Sequence, residues 1–316
     1  MLARGKADSI SIQNSCEEDD IILDQIKAAV VLVNYHSLHD VINMARIYES
    51  FEVISDVVIV NNDTTELEKK ELNKIKGGKI DVIFKKENLG YSRGNNVGIH
   101  SLLSKSSKPK YIIISNSDIE IDECVVKELI FDMERDSRYG AMAPMMLNNL
   151  GEIVDLQAVP LGYKRLFLLC FARHLDHKMK NTLKEDKNGI IYQEHVQGSF
   201  FICKTEAMEK CGMFDPNVFL YREEEILGRR LMKKGYFLGV DKKLSYVHNH
   251  NYETETISRI IKNRRMLFVS ERYFFRRYLN ANLWQMLYVC LFENIWLFRD
   301  VMGHCRRSLV RYFRKK

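Results

Sequence analysis

No two of the seven cysteines (Cys16, Cys124, Cys170, Cys203, Cys211, Cys290 and Cys305) form a CxxC pair. A scattered, odd set speaks against a disulfide framework or a zinc site and fits reduced thiols in a cytoplasmic protein. Long apolar runs are also missing. No segment reaches the roughly 18 uninterrupted apolar residues of a membrane span, so the chain is not expected to cross a bilayer. A strong excess of one charge is absent as well: the formal net charge is +6, and no recognisable nucleic-acid module accompanies the basic carboxyl-terminal tail. Residues 1–27 are polar, carry the acidic cluster Glu17 to Asp20 and lack an apolar centre. They read as a flexible extension rather than a signal peptide.

What is present is a substantial core in prospect, because 46% of the 316 residues are hydrophobic. The most informative stretch is Tyr111 to Asp122, YIIISNSDIEID. An apolar, β-branched run suits a strand covered on both faces, as in parallel α/β sheets. It ends in Asn116, Ser117 and Asp118. Two readings of that ending stay open: a helix cap, since all three residue types accept bonds from helix amides, or a cation and phosphate site beyond the carboxyl end of the strand.

The same grammar recurs upstream. Ala28 to Val33 runs into Asn34 and Tyr35, Val57 to Val60 runs into Asn61, Asn62 and Asp63, and Lys79 to Phe84 forms a third apolar segment. Helical spacing lies between them over His39 to Glu49 and Leu67 to Lys76. Alternating strands and helices predict a doubly wound, mostly parallel α/β sheet with helices on both faces. Asn88 to Asn96, NLGYSRGNN, reads as a glycine-bearing loop entering a helix. It is neither a GxGxxG fingerprint nor a Walker loop. It is either an ordinary turn or a diphosphate cradle to which Arg93 adds charge.

Taken together, Asn34, VIVNND, NLGYSRGNN and SNSDIEI resemble the successive nucleotide-sugar motifs of the inverting family 2 glycosyltransferases of GT-A fold, most closely their rhamnosyltransferase-like branch. The similarity continues through VQGSFFICKTEAMEKCGMFDPNVFLYREEEILGRRLMKKGYFLGVDKKLSYVHNH and covers roughly residues 28 to 252. It implies a GT-A domain over 28–252, divided into a nucleotide-binding half (28–122) and an acceptor half (123–252). The resemblance further implies that Asn34, Tyr35, Asn61, Asn62, Asn88, Gly90, Arg93, Asn96 and Asn116 border the donor, and that Asp118 and His248 hold Mg²⁺ or Mn²⁺. His250 is the alternative histidine. His195, Gln197, Gly198 and Asp215 would face the acceptor. The general base would be Glu224, with Glu223 or Glu225 as alternatives, because the family's Glu-Asp pair is replaced here by three consecutive glutamates and the later acidic position by Ile226.

The implied reaction moves a sugar, rhamnose-like by the branch resembled, from a dTDP- or UDP-linked donor to a hydroxyl of a bacterial-type surface glycan or its lipid-linked precursor. Two rivals remain open: a nucleotide-sugar-binding scaffold without turnover, and a sugar nucleotidyltransferase. Residues 253–316 are proline-free, aromatic and basic. They are compatible with amphipathic helices that pack on the domain, on a second copy in a homo-oligomer, or on the inner face of the cell membrane as a peripheral contact.

Overall fold

A computed structural model describes residues 26–63, 65–154, 162–163, 166, 184–249 and 256–314. Most of the amino-terminal extension and His250 lie outside the described residues. The first half alternates as expected: strands β1 (Ala28–Asn34), β2 (Ile54–Asn61), β3 (Ile80–Phe84) and β4 (Tyr111–Ser115), with helices α1 (Leu38–Ser50), α2 (Glu66–Ile75) and α3 (Gly90–Leu103) between them. These four strands are all parallel, in the order β3, β2, β1, β4. Asn34 pairs with Asn61 and Leu32 with Ser115, so the polar strand ends gather on one edge.

The apolar runs are continuous because both faces of the sheet are covered. Ala28, Val30 and Leu32 of β1 point into one buried cluster with Tyr111 and Ile113 of β4. The alternate residues Ala29, Val31, Ile112 and Ile114 point into a second. Burying each such side chain contributes on the order of 1.5–3 kcal/mol. Polar substitution here has no outlet: a carboxylate at Ile113 would stand in a dry core without a partner.

The second half is more mixed. It comprises β5 (Ile119–Glu120), α4 (Glu123–Arg135), β6 (Tyr139–Leu147), β7 (Ile190–Gln193), β8 (Phe200–Lys204), α5 (Thr205–Cys211), α6 (Glu223–Lys233) and β9 (Phe237–His248). Strand β8 inserts antiparallel between β4 and β6, while β9 runs parallel to β6 and antiparallel to β5 and β7. Among the described residues the resulting sheet has nine strands. One register matters for function: Ile119, next to Asp118, pairs with His248.

Two long helices follow β9, α7 (Ile257–Tyr278) and α8 (Leu283–Arg314). Thr256 caps α7 by accepting from the Arg259 amide at 3.3 Å. Phe268, Phe274 and Phe275 of α7 and Val289, Phe292 and Trp296 of α8 form a third buried cluster with Val218 and Ile226 of the strand-bearing unit. Of the arrangements open from sequence, packing on the domain is therefore present.

The stretch Asn88 to Asn96 differs from its sequence reading. Helix α3 already begins at Gly90, so Arg93 and Asn96 are helical rather than loop residues. A Cβ on Gly98 would collide with Val31 Cγ1, so the small residue lets α3 lie directly on β1. Tertiary packing here overrides the low helical preference of glycine.

Candidate active site

The polar strand ends open onto a cleft of about 630 Å³. Tyr35 follows β1, Asn62 follows β2, Asn88 and Gly90 open α3, and Asn116, Ser117 and Asp118 follow β4; all of them line it. The Asn88 side chain accepts from the Gly90 amide at 2.8 Å, and the Asn62 amide donates to the Gly90 carbonyl at 3.1 Å, which fixes this rim. Asp118 Oδ1 and His248 Nε2 approach to 3.3 Å because β5 and β9 pair just beyond them. Asp118 lines the cleft and His248 stands behind it; a carboxylate oxygen and an imidazole nitrogen so placed suit a divalent cation that keeps positions for phosphate oxygens and water.

Other residues expected around the donor shape the cleft from behind. Asn34 and Asn61 are fully buried. The Asn34 amide donates to Asn61 Oδ1 at 2.7 Å and to Glu68, and Asn61 donates to the Asp63 carbonyl at 3.0 Å. They bind the ends of β1 and β2 to α2 and do not line the cleft. Asn96 is engaged with the Phe214 backbone in both directions, at 2.9 and 3.1 Å. Arg93 is exposed and is not among the cleft-lining residues.

Next to the cleft is a smaller recess of about 200 Å³, lined by His195, Gln197, Tyr221, Arg222, Glu224 and Glu225. The two share walls: Phe219 and Leu220 face the cleft and Tyr221 the recess, while Met266 faces the cleft and Leu267 the recess. Between them the Tyr91 hydroxyl donates to the Gly198 carbonyl at 2.5 Å. Glu224 lies directly over Gly198, where a Cβ would overlap its Oε1. Any larger residue there would displace that carboxylate. The Glu224 carboxyl accepts a bond from the Gly198 amide, yet burial pushes its pKa up to about 7, with the nearby Glu225 charge adding to the rise.

The three glutamates are not equivalent. Glu225 is paired with Arg222 at 2.6 Å. Burial and then the Glu224 charge raise Glu223 well above the usual carboxylate range, and its Oε2 is buried without a hydrogen-bond partner among the described residues. Glu224 is the one set against Gly198 in the recess. Asp215, expected on the acceptor side, is engaged elsewhere: its Oδ2 accepts from the hydroxyls of Tyr273 and Tyr278 on α7 at 2.9 and 2.6 Å. Those donors hold its carboxyl below the ordinary range against the cost of burial.

Sequence reasoning missed the contribution of α7. Arg259, Lys262, Asn263 and Met266 form the far wall of the cleft. The signal was available in the spacing Arg259, Lys262, Asn263, Met266, which puts four side chains on one helix face. Nothing local says that this face meets Asp118. His36, Asp63 and Glu68 are a further group whose ligand-type atoms lie within 4.8 Å of one another. His36 Nδ1 stands 2.5 Å from Asp63 Oδ2, and Glu68 accepts from Asn34.

No family model matches the chain. It is 25% identical over 239 residues to the low-salt glycan biosynthesis hexosyltransferase Agl10 of Haloferax volcanii, covering 75% of this chain and 71% of that protein. Among solved structures it is similar to GalNAc-T7, crystallised with UDP, GalNAc and Mn²⁺, at a TM-score of 0.51 and 15% identity over 79% of this chain and 50% of that one. It is also similar to TarS of S. aureus, at a TM-score of 0.50 and 12% identity over 79% of this chain and 44% of that one. The chain has a GT-A glycosyltransferase fold. It spans about half the length of these two solved neighbours or less, and among its described residues no helix is long and apolar enough to cross a membrane.

Proposed function

We propose that the protein is an inverting, family 2-type glycosyltransferase that moves a hexosyl group from a nucleoside diphosphate sugar to a hydroxyl of a glycan or a lipid-linked glycan. The observation that carries this reading is the adjacency of two recesses with complementary chemistry. One presents Asp118, backed by His248 at 3.3 Å, among strand-end amides, and the other presents Glu224 with its pKa raised to about 7. The hexosyltransferase relative supports the transfer class. A dTDP- or UDP-linked, rhamnose-like donor is the version favoured by the sequence motifs.

Transfer forms a bond from the acceptor oxygen to the anomeric carbon and breaks the bond from that carbon to the diphosphate. Glu224 takes the acceptor proton as general base, which a carboxylate does best when its pKa lies close to the working pH. Tyr91, through Gly198, keeps the floor of the recess in place beneath it. Asn62 and Asn116 border the donor, and Lys262 with Arg259 bring positive charge to the diphosphate from the opposite wall. Asp118 and His248 would hold a divalent cation, Mg²⁺ or Mn²⁺, whose chemistry is stabilisation of charge on the departing phosphate oxygens. Attack from the acceptor side in one displacement inverts the anomeric centre.

Thermal unfolding against nucleoside diphosphates and nucleotide sugars, with and without Mn²⁺, tests the reading, because a ligand of the native state raises the melting temperature. A Mn²⁺-dependent rise for one diphosphate, followed by release of that diphosphate in the presence of a glycan acceptor, is expected. No rise with any nucleotide would overturn it.

A further inference from the structure

Helix α8 leaves a long apolar stripe uncovered. Trp284, Leu287, Leu291, Phe298 and Met302 are all more than half exposed, with Trp284 at 78% and Phe298 at 66%. At 100° per residue these five fall within one narrow sector, since their spacings of 3, 4, 7 and 4 residues follow whole turns. From Trp284 to Met302 the stripe runs about 27 Å at 1.5 Å per residue. It is separate from the face that packs inward through Val289, Phe292 and Trp296.

The charges on α8 are sorted by side. Its two acidic residues both turn toward α7: Glu293 is fully buried and bonds Arg272 Nε at 2.7 Å, and Asp300 bonds Arg264 Nε at 2.7 Å. The exposed charges described on this helix are Arg299 and Arg306, beside the stripe, and the sequence continues with Arg307, Arg311, Arg314, Lys315 and Lys316. Arg276 and Arg277, at the end of α7, are exposed as well. The outer face thus offers apolar side chains and arginines with no acid among its described residues.

We infer that this face of α8 docks the protein on a lipid bilayer carrying anionic headgroups. A partner for such a face must take up apolar side chains along its length and present negative charge at its margins. The interfacial zone of an anionic membrane does both, with the arginines meeting headgroups and the tryptophan at the boundary. A second copy of the chain fits less well. Related by a two-fold axis, it would bring the same arginine margins together without an acid on α8 to answer them. The inference rests on the helix alone and stands or falls independently of sugar transfer.

Co-sedimentation of the full chain with vesicles of mixed phosphatidylglycerol and phosphatidylcholine, or of phosphatidylcholine alone, without donor or metal, provides the test. Partition into the anionic vesicles at least tenfold above the neutral ones is expected, falling with added salt, together with a blue shift of Trp284 emission. Leu287→Glu with Leu291→Glu is expected to cut that partition tenfold or more. Because both positions are exposed, the double variant should melt close to the wild type. Arg299→Glu with Arg306→Glu should weaken binding to anionic vesicles while leaving the apolar stripe intact. Equal binding by wild type and the leucine variant would overturn the inference. So would a wild-type protein that stays in the supernatant and sediments as a dimer that the leucine variant loses, since that assigns the stripe to a second copy.

Discussion

Removing the Glu271 carboxylate is expected to cost both stability and turnover, from a position outside the recess-lining residues. Tyr221 and Arg222, immediately before α6, have φ values of 70° and 68°, the left-handed region that costs a non-glycine residue about 1–2 kcal/mol each. The bend they make sets Glu223 and Glu224 at the head of α6. Arg222 holds it there: its guanidinium, with 12% of the side chain exposed, lies between Glu225 on its own helix and the fully buried Glu271 on α7. Breaking a buried pair costs on the order of 3–5 kcal/mol, because the remaining charge is left unanswered. Glu225 still faces Arg222 after Glu271→Gln, so about 3 kcal/mol is the expectation, equivalent to a melting temperature lower by about 4–5 °C in a chain of 316 residues. A shift of Glu224 by about 1 Å would lower kcat by about a hundredfold, with a smaller effect on the donor KM. Thermal unfolding and steady-state transfer assays on Glu271→Gln read both quantities. A variant melting within 1 °C of the wild type with full kcat would refute the argument that α7 holds the base.

Other expectations follow from the site. With the Glu224 pKa near 7, kcat/KM should rise about tenfold per pH unit below 7 and level off above it, because the base works ionised; a flat profile between pH 5 and 8 would count against Glu224. The same group binds its proton more tightly folded than unfolded, where a glutamate titrates near ~4.3, so it withdraws stability as pH rises through that window. Glu224→Gln should therefore raise the melting temperature more at pH 8 than at pH 5. Asp118→Ala and His248→Ala should each abolish the Mn²⁺-dependent part of donor binding, measured by calorimetry with and without chelator; retention in both would remove the pair from the cation site. Lys262→Ala should raise the donor KM about tenfold with little change in melting temperature, and an unchanged KM would place the diphosphate elsewhere.

The strands were legible where burial on both faces leaves an unbroken apolar run, as in VVLV, VVIV and YIIIS, and so was the gathering of Asn62, Asn116 and Asp118 on one edge. The convergence of Asp118 with His248 was implied by family order alone. What creates it is the register of β5 on β9, a pairing across more than a hundred residues that no local pattern encodes. Asn34, Asn61 and Asn96 illustrate the opposite problem. An amide at a strand end looks the same in sequence whether it faces a ligand or closes a backbone gap, and these three are engaged with protein groups. Family order puts Asp215 beside the acceptor, whereas its partners, Tyr273 and Tyr278, lie in a segment that composition sets apart as an appendage. The exposed stripe on α8 was visible as amphipathic helix, but the inward turn of Glu293 and Asp300 required the packing of α7.

The position of α7 also bears on the order in which the protein becomes competent during synthesis. Strands β1 to β4 can pair as they emerge, since each parallel neighbour follows after one short helix. The far wall of the cleft, Arg259 to Met266, is made only after β9 is finished, and the bond from Ser270 to the Leu220 carbonyl joins it to the loop before the glutamates. A nascent chain carrying the complete sheet would still present an open trough. Helices α7 and α8, made after the sheet, give that trough its second wall, which therefore arrives with the segment that also carries the arginine-edged stripe.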